Sequence, residues 1–229
     1  MTEHRSFRVG PGRRAVDVAA SAVLVLLTAP LVLVAAVLIL LTDGRPVLFR
    51  QERVGEDGVP FRLTKLRTMR AAPAGGAAEV TATGDPRITR LGAALRRTSI
   101  DELPQLWHVL SGRMTLVGPR PESVGLAARY PESCRPVLLA RPGLTGPAQL
   151  RYREASAVPP AGWTDVEGWY LDVVVPLRVA ADLEYLRRPT VGATLRLLLV
   201  TALFVVGLAD VQATAQVPDQ RPRQRAAEG

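Results

Sequence analysis

Histidine, cysteine, lysine and aromatic side chains are all scarce in this 229-residue chain, and each shortage removes a class of function. Two histidines, His4 and His108, and one cysteine, Cys134, cannot assemble a zinc site of the usual His and Cys kind. A lone cysteine forbids an internal disulfide and agrees with a reducing compartment. Aromatics make up 5% of the residues, and no aromatic and basic stripe of the kind that stacks single-stranded nucleic acid is present, so nucleic acid is not an expected partner. Of the 29 basic residues only Lys65 is a lysine. A net charge of +8 carried by arginine points to phosphate-bearing substrates or an anionic membrane surface, because guanidinium forks match phosphate oxygens.

Against these shortages stands one long apolar run. From Val18 to Leu41 only Ser21, Thr28 and Pro30 interrupt it, and as a helix it would extend roughly 36 Å at about 1.5 Å per residue, which is bilayer scale. The run is too long for a signal peptide, and Leu41-Thr-Asp-Gly-Arg follows it where a small-residue cleavage site would stand. It therefore reads as an anchor. Arg5, Arg8, Arg13 and Arg14 precede it, while Arg45, Arg50, Arg53, Arg62 and Lys65 follow, so the positive-inside rule finds no asymmetry. Two topologies are open. A tilted helix crosses once, which the residues alone favour, or both flanks lie in the cytoplasm and the helix breaks near Pro30 and re-enters. Asp17 is expected to pair with Arg13 and Arg14 at helical spacing.

Beyond the anchor, "VLFRQERV" and "VPFRLTKLRTM" flank "GEDG" and predict a β-hairpin; the small residues of 71–80 predict a loop. Asp85-Pro86 has the form of a helix cap followed by proline at the first helical position, opening a helix that runs to Thr98 with Ile88, Leu91 and Leu95 inward. "LPQLWHVLSG" predicts a short helix ended by Gly112, with Trp107 and Leu110 in the core and His108 as a satisfied helix residue. "MTLVG" predicts a short strand, and "RPGLTGPAQL" a loop leading into another strand-like run. A helix is expected from Trp163 to Arg188 with a kink at Pro176. The apolar stretch near the end, 190–209, is short for a span and predicts an interfacial or buried helix, followed by a disordered tail.

The chemistry concentrates in "TSIDELPQLWHVLSGRMTLVGPRPE", residues 98–122. Ser99 and Glu102 have capping-box spacing, and acids at a helix N-terminus are favoured by its dipole. Two adjacent carboxylates, Asp101 and Glu102, can also serve phosphoryl chemistry, one toward Mg²⁺ and one as nucleophile. Arg120, between Pro119 and Pro121 whose φ angles are fixed, suits a pre-positioned phosphate fork. Taken singly, each of these has an ordinary structural explanation. Lys65 alone, for instance, reads as part of a basic surface.

In combination the blocks are specific. "RRAVDVAAS", "PVLFRQERVG", "FRLTKLRTM", "GDPRITRLGAALRRTSIDELPQLWHVLSG", "MTLVGPRPE" and "RPGLTGPAQ" occur in this order across about residues 11–210, and the chain resembles the bacterial sugar transferase family, the small monotopic polyprenyl-phosphate phosphoglycosyl transferases. The resemblance implies transfer of a sugar 1-phosphate from a UDP-sugar to undecaprenyl or similar polyprenyl phosphate with release of UMP, in ping-pong fashion through an aspartyl phosphosugar. It implies Asp101 as nucleophile, Glu102 with Asp101 at a Mg²⁺ site, Lys65, Arg96 and Arg120 on the substrate phosphates, and Pro119 and Pro121 in the loop at the nucleotide. It implies a re-entrant helix broken at Pro30, placed in the inner membrane with the catalytic domain facing the cytoplasm, and leaves a homodimer open. Three positions depart from the family pattern: His108 in place of Asn, Pro147 where a Trp is common, and Ala29-Pro30 in place of Ser-Pro.

The expected fold class is α+β: a re-entrant membrane helix (1–44, helix about 15–41), a mostly helical catalytic domain with a small hairpin and interfacial amphipathic helices (45–212), and a tail (213–229). The competing functional reading is a membrane-tethered basic module that binds anionic lipid or nucleic acid without turnover.

Overall fold

In the computed structural model, which describes residues 7–70, 85–152 and 165–205, the apolar run forms one helix, α1 (Pro11–Thr42). Pro11 at its first turn has no N–H to leave unpaired. Pro30 lies inside α1 without interrupting it, where the sequence predicts a break. Proline removes a single donor, and the preceding turn is reinforced by Thr28, whose hydroxyl donates to Leu24 O at 2.7 Å.

One stripe of α1 faces the rest of the protein. Arg13, Asp17, Ser21, Ala35 and Ile39 are buried, with Val25 and Val32 half-buried between them, while Leu26, Leu27, Leu33 and Val34 on the other faces are exposed. The polar residues near the start of the stripe bind backbone. Arg13 donates to Val117 O at 2.8 Å, and Arg14 to Val109 O and Leu110 O at 2.6 and 2.7 Å. Asp17 accepts from the Thr115 hydroxyl at 2.7 Å and from Leu116 N–H at 3.0 Å. The expected pairing of Asp17 with Arg13 and Arg14 thus gives way to buried backbone groups that need partners more than two solvated ions do. At the far end Ala35 and Ile39 pack on Leu66 and Leu95, and Arg67 donates to Asp43 O and Gly44 O at 2.6 and 2.7 Å. Both ends of α1 therefore hold the same folded unit.

The predicted hairpin is present as β1 (Leu48–Val54) and β2 (Pro60–Leu66), antiparallel, with Phe49 opposite Lys65. The next helix begins later than predicted. After a turn at 86–87, Ile88 and Thr89 run beside residues 68–70, with Arg70 N–H donating to Arg87 O and Thr89 N–H to Thr68 O, and α2 (Arg90–Thr98) is capped by Thr89, which accepts from Gly92 N–H at 2.9 Å. Asp85 instead binds Arg87, to its backbone N–H at 2.9 Å and its guanidinium at 2.6 Å. Leu95 is buried and Leu91 packs partly beside it, but Ile88 falls outside the helix.

A 3-10 turn (Ile100–Gln105) leads into α3 (Leu106–Leu110), ended at Gly112 with φ +81°. In so short a helix only Leu106 and Val109 reach the core. Trp107, predicted as core, is 64% exposed, and Leu110 is half-buried. Strand β3 (Thr115–Val117) pairs in parallel with β4 (Gly143–Thr145) as a second two-stranded sheet. Between them lie α4 (Val124–Ala128) and a 3-10 stretch (Glu132–Leu139). The predicted loop at 141–150 thus holds β4 and then a helix, α5 (Pro147–Arg151), whose Pro147 start suits a helix, and the strand-like run expected after it falls mostly outside the described residues. Then come α6 (Val166–Trp169), a π turn (Tyr170–Val174) that takes up the expected irregularity before Pro176, α7 (Val175–Arg187) and α8 (Val191–Val205). The last is two-faced: Ala193, Leu197 and Leu198 pack on the core, whereas Val191, Leu195, Leu199 and Val205 are exposed. The fold is thus mostly helical with two small sheets. The loop predicted at 71–80 and the tail lie outside the described residues.

Gly118 and Gly143 meet backbone to backbone where β3 hands over to the proline-arginine-proline segment. A Cβ on Gly118 would stand 2.7 Å from Arg141 O, and one on Gly143 would overlap the Gly118 backbone. Gly143→Ala is therefore expected to destabilise the protein by about 1–3 kcal/mol, the usual range for overpacking. A lowered Tm in thermal unfolding of the detergent-solubilised protein would register it.

Candidate active site

Three elements converge on the acid pair. Ser99 takes a left-handed conformation, φ +58°, and turns the chain sharply from α2 into the 3-10 turn. That posture overrides the predicted capping box: a capping serine needs extended backbone, and the Ser99 side chain makes no capping bond here, so the turn is held by Glu102 N–H donating to Ser99 O at 3.1 Å. Asp101 is buried, 4% exposed. Glu102 points to Arg120, which donates to its carboxylate at 3.0 Å across a half-open surface.

Arg96, on the last turn of α2, donates from Nε to the Thr68 hydroxyl at 2.8 Å. This is possible because α2 comes very close to the backbone at Thr68: a Cβ at Gly92 would overlap the Thr68 carbonyl. Lys65 on β2 lies over the Phe49 ring at 5.5 Å. Its strand is tied to α3 by Thr64 N–H, which donates to His108 Nε2 at 3.1 Å. His108 is thus a buried, satisfied residue as predicted, and its acceptor nitrogen fixes the neighbour of Lys65. Arg120 is held from both sides, since Gly143 N–H donates to Pro119 O at 2.7 Å and Arg53 donates to Pro121 O at 3.3 Å.

The charges act on one another. Burial raises the Asp101 carboxyl above its ordinary value, helped by Glu102 and opposed by Lys65, Arg96 and Arg120. Burial lowers the Lys65 ammonium to about 8, against the pull of Asp101 and with the push of Arg120 and Arg96. Glu102 is the main cause raising Arg120. Lys65, Arg96, Asp101, Glu102 and Arg120 therefore form one electrostatic cluster. Pro30, also singled out from the sequence, lies in the apolar middle of α1 and is exposed.

The profile of the family described as bacterial sugar transferase matches residues 9–207. The chain belongs to that family. Among its relatives is a "UDP-glucose:undecaprenyl-phosphate glucose-1-phosphate transferase" of Caulobacter vibrioides, 42% identical over 193 residues that cover 82% of this chain and 67% of that protein. A protein of the same name from Escherichia coli is 33% identical, over 82% of this chain and 39% of its own length. The "Exopolysaccharide production protein PSS" of Rhizobium leguminosarum bv. phaseoli is 36% identical over 83% of this chain and 93% of its own length. The chain thus spans about two thirds of the first relative and well under half of the second.

A second network, not foreseen from the sequence, adjoins the first. Glu122 accepts from Tyr170 OH at 2.6 Å and Tyr130 OH at 3.0 Å, and Arg178 on α7 donates to Tyr170 OH at 2.8 Å. The one sequence signal for it is Glu122 itself, which directly follows the proline-arginine-proline.

The depressed Lys65 value sets two pH trends of opposite sign. Its ordinary value is 10.5 and its folded value about 8, so between these the unfolded chain binds a proton that the folded chain has released, and stability rises with pH across that window. Any function that needs the ammonium falls as pH passes about 8. Tm and turnover measured from pH 7 to 10 should move in opposite directions, and Lys65→Met should flatten both trends.

Proposed function

We propose that the chain transfers a sugar 1-phosphate from a UDP-sugar to undecaprenyl or a similar polyprenyl phosphate, releasing UMP, through an aspartyl phosphosugar. The observation that carries this reading is the buried Asp101 beside Glu102, ringed by Lys65, Arg96 and Arg120, in a family whose relatives are named for this transfer. In the first half, an Asp101 carboxylate oxygen forms a bond to the phosphorus that bears the sugar, and the bond from that phosphorus to the bridging oxygen breaks, so UMP leaves with the electron pair. In the second half, a phosphate oxygen of the polyprenyl phosphate attacks the same phosphorus and returns Asp101 as a carboxylate. Arg120, Arg96 and Lys65 supply positive charge where the non-bridging oxygens gain negative charge.

The acid pair also suits Mg²⁺. Among the described residues no three His, Cys, Asp or Glu side chains gather into a protein-only metal cage, but Mg²⁺ is held by one or two carboxylates together with substrate phosphates. Glu102, with Asp101, would hold it. When bound it would neutralise pyrophosphate charge and relieve the repulsion between the two acids.

An anchor of this kind would hold this chemistry at a membrane surface, where a polyprenyl phosphate presents its head group. The grip of both ends of α1 on one folded unit, with an apolar outer face between them, favours a helix that enters and leaves on the same side. We read that side as the cytoplasmic face of the inner membrane.

Asp101→Asn should abolish Mg²⁺-dependent UMP release from a UDP-sugar in nanodiscs containing polyprenyl phosphate, and full activity in that variant would remove the nucleophile. Topology has its own test. In a Cys134→Ser background, Arg8→Cys and Arg45→Cys should react alike with an impermeant thiol reagent applied to one side of sealed vesicles; opposite accessibility would mean a single pass.

A further inference from the structure

Arg120 lies in the field of two acids. Glu102 and Glu122 both favour its charged form, Glu102 more strongly, and Glu122 stands only two residues along the chain, beyond Pro121. The bond nevertheless goes to Glu102, at 3.0 Å. The way Glu122 is occupied accounts for this.

Its Oε1 accepts from Ser123 N–H at 3.1 Å and from Arg53 at 3.4 Å. Its Oε2 accepts from Tyr170 OH at 2.6 Å and from Tyr130 OH at 3.0 Å. A carboxylate offers about four acceptor positions, so these donors fill it. Arg178 donates to Tyr170 OH at 2.8 Å, and because a guanidinium cannot accept, the single Tyr170 hydroxyl proton is directed to Glu122. That hydroxyl thereby also stands between Arg178 and the carboxylate. Tyr130 and Tyr170 are 8% and 5% exposed, one in the bend after α4 and the other at the start of the π turn before α7. Phenylalanine would fill the same space without a buried hydroxyl to satisfy, so what the two hydroxyls add is the cover on Oε2.

We infer that Tyr130 and Tyr170 are positioning residues that act through Arg120: by covering Oε2 of Glu122 they keep that acid from drawing the guanidinium away from Glu102 and the substrate phosphates. The inference rests on the phosphotransferase reading, which gives Arg120 its task. An acid left half-bonded in a partly buried place takes up a donor that can reach it, because an unmet charge there is costly. Arg53 is held by Pro121 O and Gln51, and Arg178 has a second acid in its field, Asp182, one turn further along α7. Arg120 is half-exposed and its bond to Glu102 crosses open surface, so it is the cation that swings across. Its fork then faces Glu122, and the acid pair loses the charge that Arg120 supplies.

The test is rescue, read as kcat/KM for UMP release by the full chain in nanodiscs with polyprenyl phosphate, Mg²⁺ and a UDP-sugar. Tyr130→Phe with Tyr170→Phe keeps both rings and should lower kcat/KM at least tenfold. Adding Glu122→Gln, whose amide has no charge to capture Arg120, should raise it again at least threefold. A purely structural network behaves in the opposite way, since the third change removes one more partner. Unchanged kcat/KM in the double variant, or no recovery on adding Glu122→Gln, would overturn the inference; Tyr170→Phe alone replaces the pair if thermal unfolding shows that the pair does not fold. UDP affinity, measured by calorimetry in the same preparation, should fall and recover in the same order. If the wild type shows no turnover, the phosphotransferase reading fails and UDP affinity decides the inference; a wild type that neither turns over nor binds UDP discards both.

Discussion

Two carboxylates side by side in a partly buried place repel each other, and the structure around Asp101 and Glu102 is organised by that repulsion. Burial and Glu102 both push the Asp101 carboxyl toward its protonated form, which cannot attack phosphorus. Lys65, Arg96 and Arg120 push the other way. They come from a strand, a helix end and a loop that are far apart in the chain, so only the tertiary fold brings them together to offset the burial of Asp101. The same cations are then in place for phosphate oxygens, so in the mechanism proposed the features that oppose protonation of Asp101 are also those that would receive the substrate.

Close backbone contacts make that convergence rigid. Gly92 lets α2 approach Thr68 and brings Arg96 to the end of β2; Gly118 and Gly143 let β3 and β4 meet and set the start of the segment that carries Arg120. His108 ties β2 to α3 through Thr64 N–H. None of these residues acts on phosphorus in the mechanism proposed. Each fixes the distance between a cation and the acid pair, in a cluster whose electrostatics depend steeply on distance.

The anchor is bound into the same arrangement. Arg13, Arg14 and Asp17 satisfy backbone groups at the end of α3 and in β3, the elements that immediately follow the acid pair and precede Arg120. The long apolar helix, which is consistent with membrane association, is therefore coupled to the site geometry. The exposed face of α8 and the outer face of α1 present apolar surface, which suits a lipid interface as the surrounding solvent.

By itself the sequence determined the elements whose signals are local. The apolar run, the hairpin around its glycine turn, the stop at Gly112 and the acid pair followed by Gly118-Pro119-Arg120-Pro121 were all readable, because periodicity, turn chemistry and fixed proline angles act over a few residues. Its errors came where a long-range partner outcompeted a local one. Asp17 left its neighbouring arginines for β3, Thr89 replaced Asp85 as the helix cap once Thr68 held it extended, and Ser99 gave up its capping role to a left-handed turn. Trp107 lost its place in the core because α3 is too short to bury more than one face. Only the tertiary structure could gather Tyr170 and Arg178 beside Glu122, since no spacing rule links residues so far apart in the chain. Their meeting depends on how α7 packs, and packing is decided by the whole core at once.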